Sequence, residues 1–401
     1  MGYFFSVVII LICLLNGGRG SGFDSQINQI TKPHAFDIAG WEVSTLVHEL
    51  VQPLPKTGDS STVIAYFELA AQANYLDYRL MWAVSASQEE AGEIQYELDH
   101  VRDQLDKIQE TVEKVLEKQI RDMYTEQGIY CPWPGFKVSF PPMNFKLTDP
   151  PKLLVISPRD RIENTGETML QPDVKMEDIE EIENRVDQLG VSSLVTDIGG
   201  LGATYPAFVA NDMSLQNTIN AAAEEWLHQY LAFTPLGFRY VLDSVGLVPD
   251  YDVARMNETL AGIVSKEIGG LVYDRYYRDF NTNSSEGEES DISSGPVFDF
   301  YAEMREIRRQ VDLYLSQGLV EEAEQFMNEK RDYLAEHGYY IRKLNQAYFA
   351  FHGTYADSPT SIDPVGTEMK ILRTESSSLK EFLDDISIMT NLQELTEAAG
   401  G

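Results

Sequence analysis

A long amphipathic helix dominates the N-terminal third of the chain. Its apolar residues alternate at intervals of four and three, at Ile94, Leu98, Val101, Leu105, Ile108, Val112 and Val115. This spacing aligns them along one stripe of a helix, and the helical pattern covers residues 87–124 before Gly128, Pro132 and Pro134 end it. Such a stripe needs an apolar partner. A helical pattern at residues 61–82 favours packing within one chain over a dimer zipper.

The rest of the chain predicts a mainly α-helical fold with a small β-sheet, an α+β arrangement. Short apolar runs predict two strands, at residues 153–156 and 192–198, and a helix between them at residues 175–189. A glycine-rich stretch at residues 199–202 lacks the lysine of a phosphate-binding loop, so we interpret it as a turn between strands rather than a nucleotide site. Further helices are predicted over residues 298–318, 319–351 and 379–389.

These patterns divide the chain into regions. We expect residues 1–20 to be a signal peptide or N-terminal anchor, residues 21–130 to hold the long helix, residues 131–280 to form a core with the sheet and the motif helices, and residues 296–401 to be helical. Residues 281–295 are rich in serine and glutamate, with few apolar residues, and predict a surface loop.

Charge and the N-terminus limit the partners and the location of the protein. The chain has 64 acidic and 31 basic side chains, a net charge of -33 that repels polyphosphate and excludes nucleic acid as a partner. Residues 3–15 form a nearly unbroken apolar run, too short to span a bilayer and followed by small residues. We therefore expect an extracytoplasmic protein, either secreted or attached to the membrane by this segment. The two cysteines, Cys13 and Cys131, supply no disulfide framework.

A pair of carboxylates and a histidine interrupt an otherwise apolar helix near the middle of the chain. Residues 223–230 read Ala-Glu-Glu-Trp-Leu-His-Gln-Tyr, within a helix predicted over residues 215–233. Glu224 and His228 are four residues apart and so share one helix face, while Glu225 projects about 100° around the axis. Acidic side chains among apolar ones need a partner or a cavity, so this segment is not an ordinary solvated face.

A second element follows about thirty residues later, in the run Met-Asn-Glu-Thr-Leu-Ala at residues 256–261. A helix is predicted over residues 257–266, where Glu258, Gly262 and Ser265 share a face. The two small residues on that face allow another helix to approach closely. Glu258 would then reach an ion held by the first helix.

At these two elements the chain resembles the gluzincins, zinc metallopeptidases with H-E-x-x-H on one helix and a glutamate on the next. Glu225, His228, Asn257, Glu258 and Ala261 match the pattern. The resemblance implies a zincin-like body, a zinc cofactor, and hydrolysis of a peptide or protein substrate by metal-activated water. By the same resemblance Glu225 is the general base, and His228 and Glu258 are metal ligands.

Glu224 departs from the pattern, because a gluzincin has its first histidine at this position. Three interpretations stay open. The carboxylate replaces the histidine as a ligand, since zinc accepts carboxylate oxygen, and such a site would also tolerate manganese or calcium. Alternatively, no metal binds, and the chain is an inactive pseudopeptidase with an extracellular binding or structural role. In the third interpretation the match is a coincidence in an acidic helical protein.

An aromatic stretch at residues 339–355 adds candidates for a further role. Peptidases of this type commonly place a tyrosine or histidine where it stabilises the oxyanion, and Tyr348, His352 or Tyr355 is suited to that role. Packing of an aromatic-rich core helix is the simpler interpretation of the same residues.

Overall fold

The structure, a computed structural model, describes residues 22–38, 58–83, 88–133, 135–244, 247–282 and 298–400. Within these ranges the chain is mainly α-helical with two small β-sheets, in agreement with the α+β prediction. The predicted signal or anchor, and most of the predicted loop at residues 281–295, lie outside the described residues. Among the described helices, none has both the length and the apolar character needed to cross a bilayer.

The helices are α1 (Gly22–Thr31), α2 (Ser60–Ala83), α3 (Gln88–Glu126), α4 (Met176–Asp187), α5 (Leu215–Leu231), α6 (Pro235–Ser244), α7 (Tyr251–Tyr276), α8 (Phe300–Ser316), α9 (Val320–Glu336), α10 (Gln346–Thr354), α11 (Pro364–Glu375), α12 (Leu379–Ser387) and α13 (Leu392–Ala399). The strands are β1 (Phe145–Leu147), β2 (Lys152–Pro158), β3 (Gly166–Leu170), β4 (Val191–Thr196), β5 (Gly200–Leu201) and β6 (Ala207–Val209).

The long helix α3 packs along α2 of the same chain, which confirms the prediction of an intrachain partner. Near the start of α3, Ile94, Leu98 and Val101 bury their side chains against Ala73 and Leu76 of α2. Further along α3, the apolar stripe enters the main core of the molecule through Val112, Leu116, Ile120 and Met123. The same apolar stripe of α3 therefore packs first against α2 and then against the main core.

Two three-stranded sheets lie beside the helices. In the first, β2 lies between β3 and β4 and is antiparallel to both. In the second, β6 lies between β1, its parallel partner, and β5, its antiparallel partner. The predicted strands at residues 153–156 and 192–198 correspond to β2 and β4. We predicted a turn between strands at the glycine-rich stretch. The structure instead has strand β5 there, and a turn follows it.

The C-terminal region differs from its prediction in one place. The prediction of a single helix over residues 319–351 is wrong, because α9 ends at Glu336 and α10 begins only at Gln346. Gly338 has a φ of 88°, a backbone conformation that favours glycine and does not continue a helix. The Asn345 side chain accepts a hydrogen bond from the Tyr348 amide (2.9 Å) and thereby caps α10.

Helices α5 and α7 lie at the centre of the main core. Both contribute fully buried apolar side chains, including Leu227, Leu231, Leu260 and Val264, to a cluster that also includes residues of α3 and α12. The two helices pack against each other over much of their length. Side chains on their shared face are therefore held by well-packed elements.

Candidate metal centre

Helix α5 carries Glu224, Glu225 and His228 to a large cleft. The helix begins after Ser214, whose hydroxyl accepts a hydrogen bond from the Asn217 amide (3.4 Å). Its buried side is apolar, and the Trp226 indole donates to the carbonyl of Pro141 (2.8 Å). This anchoring fixes the rotation of the helix, so Glu224 and His228 face the cleft.

Helix α7 brings Glu258 to the same place. It begins after Asp250, whose carboxylate accepts a hydrogen bond from the Val253 amide (3.3 Å), and it is longer than predicted at both ends. Asn257 and Glu258 are both buried against α5. The close approach differs in detail from the prediction: Gly262 faces Asp357, whereas Gly269 is the glycine that α5 approaches, through Asn220.

Glu224, His228 and Glu258 converge. Each offers one ligand atom, and these atoms all lie within 4.8 Å of one another. The Nε2 atom of His228 is 3.6 Å from a carboxylate oxygen of Glu258. Two carboxylates and an imidazole are donor types that zinc and other divalent ions accept, so this group could hold a metal ion.

Asn257 supports the use of His228 as a ligand. Its side-chain amide lies 3.1 Å from Nδ1 of His228, on the side of the ring away from Glu258, and its Oδ1 atom is buried with no partner among the described residues. A half-turn of the amide presents Oδ1 to an Nδ1–H group, which leaves the Nε2 lone pair facing Glu258. Holding the second ring nitrogen in this way is what metal-binding histidines require.

Glu224 occupies an unusual environment for a carboxylate. The cleft reaches one side of the group, but protein surrounds it elsewhere, and this burial, together with the charge of Glu258, raises the pKa of Glu224 to about 8. Ser265 lies within hydrogen-bonding reach, and Lys266 acts in the opposite direction on the pKa. Without a cation the carboxyl is thus largely neutral at pH 7, whereas a bound cation would favour its charged form.

Glu225 is held beneath strand β5 rather than among the three converging donors. Its carboxylate accepts a hydrogen bond from the Gly202 amide, and it approaches Gly200 so closely that a Cβ there would lie 2.3 Å from Oε1. Burial and the charges of Glu224 and Glu258 raise the pKa of Glu225 well above its usual value. Once ionised, a carboxylate with a raised pKa is a stronger base than an exposed one and is suited to accept and return a proton, and a cation bound nearby would favour that ionised form.

The cleft has a volume of about 1470 Å³ and is walled by both sheets. Strand β3 contributes Glu167, and the stretch around β5 contributes Gly200 and Gly202. Of the three candidates for oxyanion stabilisation, only Tyr355 lines this cleft, and the charge of Glu258 raises its pKa. Tyr348 and His352 line a separate, smaller cavity.

Two neighbours of the centre have no signal in the sequence. Tyr240 stacks on His228 with ring centroids 6.1 Å apart, and its hydroxyl reaches Glu258. Lys266 forms an ion pair with the buried Asp357, which lies more than ninety residues away in the chain. Lys266 lies within the predicted helix at residues 257–266, but the sequence does not indicate that it pairs with Asp357, because only the folded chain brings the two side chains together.

Comparisons with protein-family models, with curated proteins and with solved structures find no match to this chain. The likeness to gluzincins therefore rests on the motif residues alone. What the structure adds is a three-residue group that could hold a metal ion, in a cleft that Glu225 also lines.

Proposed function

We propose that this protein is a metal-dependent peptidase of the gluzincin type in which Glu224 replaces the first histidine ligand. The observation that carries the proposal is that Glu224 and His228 of α5 meet Glu258 of α7. The ligand atoms of the three side chains all lie within 4.8 Å of one another. If the motif were a coincidence in an acidic sequence, Glu258 would have no reason to lie beside Glu224 and His228. Nor would Asn257 have a reason to contact the His228 ring.

In this proposal Glu224, His228 and Glu258 hold zinc. Bound zinc supplies a Lewis acid that lowers the pKa of a water molecule from 15.7 to about 7. With two carboxylates among three ligands, the site is also suited to manganese and, less so, to calcium. Asn257 fixes the orientation of the His228 ring, while Tyr240 stacks on that ring and hydrogen-bonds to Glu258 through its hydroxyl.

Glu225 acts as the general base. It takes a proton from the water that attacks the scissile carbonyl carbon, and it returns the proton to the nitrogen of the leaving amine when the C–N bond breaks. The Gly202 amide holds its carboxylate in place meanwhile. The Tyr355 hydroxyl, which also lines the cleft, donates a hydrogen bond to the carbonyl oxygen as negative charge develops there.

The cleft fits an extended peptide or protein segment as substrate. Its volume accommodates several residues, and β5 pairs along one edge only, with β6. Within the described residues the other edge of β5 has no strand partner, so its backbone groups are suited to bind an extended chain. The N-terminal apolar segment leads us to place this activity outside the cytoplasm, in a secreted or membrane-attached protein.

A second candidate function is a pseudopeptidase that binds peptides without cleaving them. The observation that favours it is the environment of Glu224, where burial raises the pKa of the carboxyl to about 8. A neutral carboxyl is a poor metal ligand, so this candidate keeps the cleft and loses the reaction.

Hydrolysis of internally quenched peptides by the purified full chain, with added zinc or manganese, distinguishes the two. Chelation should abolish cleavage, and Glu225→Gln should lower kcat by about 100-fold or more, since it removes the base without changing the shape of the site. Glu180→Gln, at an exposed position on α4, is the matched control and should leave kcat unchanged. Cleavage that survives both chelation and Glu225→Gln would refute the proposed mechanism, and a cleft that binds peptides without cleaving them would favour the pseudopeptidase.

A further inference from the structure

We propose that Glu167 selects peptides that carry a positive charge, because its carboxylate binds an ammonium or guanidinium group of the peptide within the cleft. The inference deepens the proposed function and rests on one part of it, the cleft as a peptide-binding site. It depends neither on a metal ion nor on hydrolysis. The same preference is therefore expected of an active peptidase and of a pseudopeptidase.

Strand β3 places Glu167 in the cleft. Within the described residues β3 has one strand partner, β2, and Glu167 lies opposite Val155 in that pairing. Residues opposite each other project from the same face of a sheet. Val155 packs against Ala347 of α10, so Glu167 belongs to the face that meets α10 and not to the face that α4 covers. The side chain is exposed there and lines the cleft.

No cation of the described chain balances the charge of Glu167. Its Oε1 atom accepts a hydrogen bond from the neutral Asn164 amide (2.5 Å), and its Oε2 atom has no partner among the described residues. Protein encloses the cleft around the side chain, and this burial, with the negative charges of Glu258 and Asp243, raises the pKa of Glu167 to about 7. A cation beside Glu167 would relieve this repulsion and favour the ionised carboxylate.

Asp243 of α6 adds to the attraction for a cation. It lines the same cleft, and its Oδ1 atom accepts a hydrogen bond from the Asp250 amide (2.7 Å). Its Oδ2 atom has no partner in the part of the chain that the structure describes. Because Asp243 and Glu167 act on each other through their charges, a cation held by Glu167 is stabilised by both carboxylates.

Other charges in the lining of the cleft are already paired, which distinguishes them from Glu167. Lys266 is the one lysine or arginine in the described lining, and it forms an ion pair with Asp357. Several carboxylates of the lining pair with basic residues outside it, namely Glu163 with Arg161, Asp197 with Lys152, and Asp250 with Arg239. The preference for a cation is therefore assigned to Glu167, not to the acidity of the cleft in general.

The positive charge of the peptide has two sources with the same chemistry. An N-terminal ammonium group and a lysine or arginine side chain each bring charged N–H donors, which form charge-assisted hydrogen bonds with a carboxylate. The two sources are distinguished by blocking the N-terminus with an acetyl group, which leaves a side-chain charge in place.

The test is calorimetric titration of the whole chain, in chelator, at about pH 7.5 so that most Glu167 and most peptide amines are charged. Salt at about 0.15 M screens the general field of the acidic protein. The probes are an acetylated, uncharged pentapeptide amide, the same peptide with a free N-terminus, and acetylated versions with one lysine at each position in turn. We expect a charged peptide to bind at least about tenfold more tightly than the uncharged one.

Glu167→Gln should remove this preference while binding of the uncharged peptide persists, which also establishes that the cleft of the variant is folded. Asp197→Asn is the matched control, because it removes a charge from the same lining that Lys152 already neutralises, and it should keep the preference. A gain from the free N-terminus alone identifies the terminal ammonium group as the ligand, and a gain from lysine alone identifies the side chain.

Two results would overturn the inference alone: equal binding of charged and uncharged peptides by the wild type, and a preference that persists in Glu167→Gln or is lost equally in Asp197→Asn. Binding of none of the peptides would overturn the proposed function as well.

Discussion

At the scale of single residues, the position of Glu225 depends on two glycines that the chain places above it. A Cβ on Gly202 would lie 2.7 Å from the backbone carbonyl oxygen of Glu225 and 2.9 Å from its side-chain Oε2. A Cβ on Gly200 would meet the carboxylate alone, which is able to move. Of these two glycines, only Gly202 is so close to the backbone of α5 that a Cβ would clash with it. The close approach of strand β5 to helix α5 therefore requires a glycine at this position.

We therefore expect Gly202→Ala to destabilise the protein by about 1–3 kcal/mol, because the loop around β5 must move away from α5. The free energy of unfolding in urea measures the effect. Gly199→Ala is the matched control, since its Cβ would make only an ordinary contact, 3.9 Å from the Met213 sulfur. Equal stability of the two variants would contradict the packing described for β5.

The sequence predicted only part of the site. The spacing of Glu224 and His228 placed them on one helix face, and the run from Asn257 to Ala261 pointed to Glu258, because both are local relations within a helix. The contribution of Tyr240 and the pairing of Lys266 with Asp357 were not predictable. Such contacts depend on how α6 and the segment after α10 fold back on α7, and no local pattern encodes that.

At the scale of elements, strand β1 takes its second hydrogen-bonding partner from a helix. On one edge it pairs with β6, and on the other its amides donate to carboxylates of α3: Leu147 to Glu113 (2.9 Å) and Phe145 to Glu117 (3.3 Å). Both carboxyl groups are buried. The helix therefore closes an edge that would otherwise leave backbone groups unsatisfied.

This arrangement makes stability depend on pH. Burial, opposed by Lys114, raises the pKa of Glu117 to about 7, above its ordinary value of 4.5. The folded state then binds more protons than the unfolded chain between these values, so this contribution is complete below pH 4.5 and is lost as the pH rises to about 7. We expect Glu117→Gln, which keeps an acceptor for Phe145, to gain up to about 3 kcal/mol relative to the wild type across that interval.

Urea unfolding at several pH values measures this difference. Glu93→Gln, an exposed change on the same helix, is the control and should show a profile parallel to that of the wild type. A parallel profile for Glu117→Gln as well would mean that this carboxyl is ionised in the folded protein at acidic pH.

Long periodic segments were predictable at this scale, and short interruptions were not. The seam of α3 and the buried strand β2 each carry a strong pattern, and both appear where expected. The break between α9 and α10 was missed because Gly338 is a single residue within a long helical pattern, and its effect depends on its positive φ. Helices α11 and α13 lie in segments with less regular patterns and were not predicted.

At the scale of the whole molecule, the candidate metal centre lies on two helices of the main core. Residues of α5 and α7 belong to a main core that extends from Val63 to Leu395, so the ligand positions are fixed by packing rather than by a bound ion. We therefore expect the metal-free protein to be folded. Its acidic surface, with a net charge of -33, favours the approach of cations to the cleft at low ionic strength.

The central claim is that Glu224, His228 and Glu258 bind one metal ion, and the metal content of the full chain, equilibrated with zinc and then freed of excess, tests it most directly. The account predicts about one equivalent of zinc per chain in the wild type and in the control His100→Ala, and almost none in His228→Ala. Glu224→His, which supplies the imidazole that gluzincins have at this position, should retain zinc against a stronger chelator. A folded wild type without zinc, or His228→Ala that retains a full equivalent, would contradict the claim.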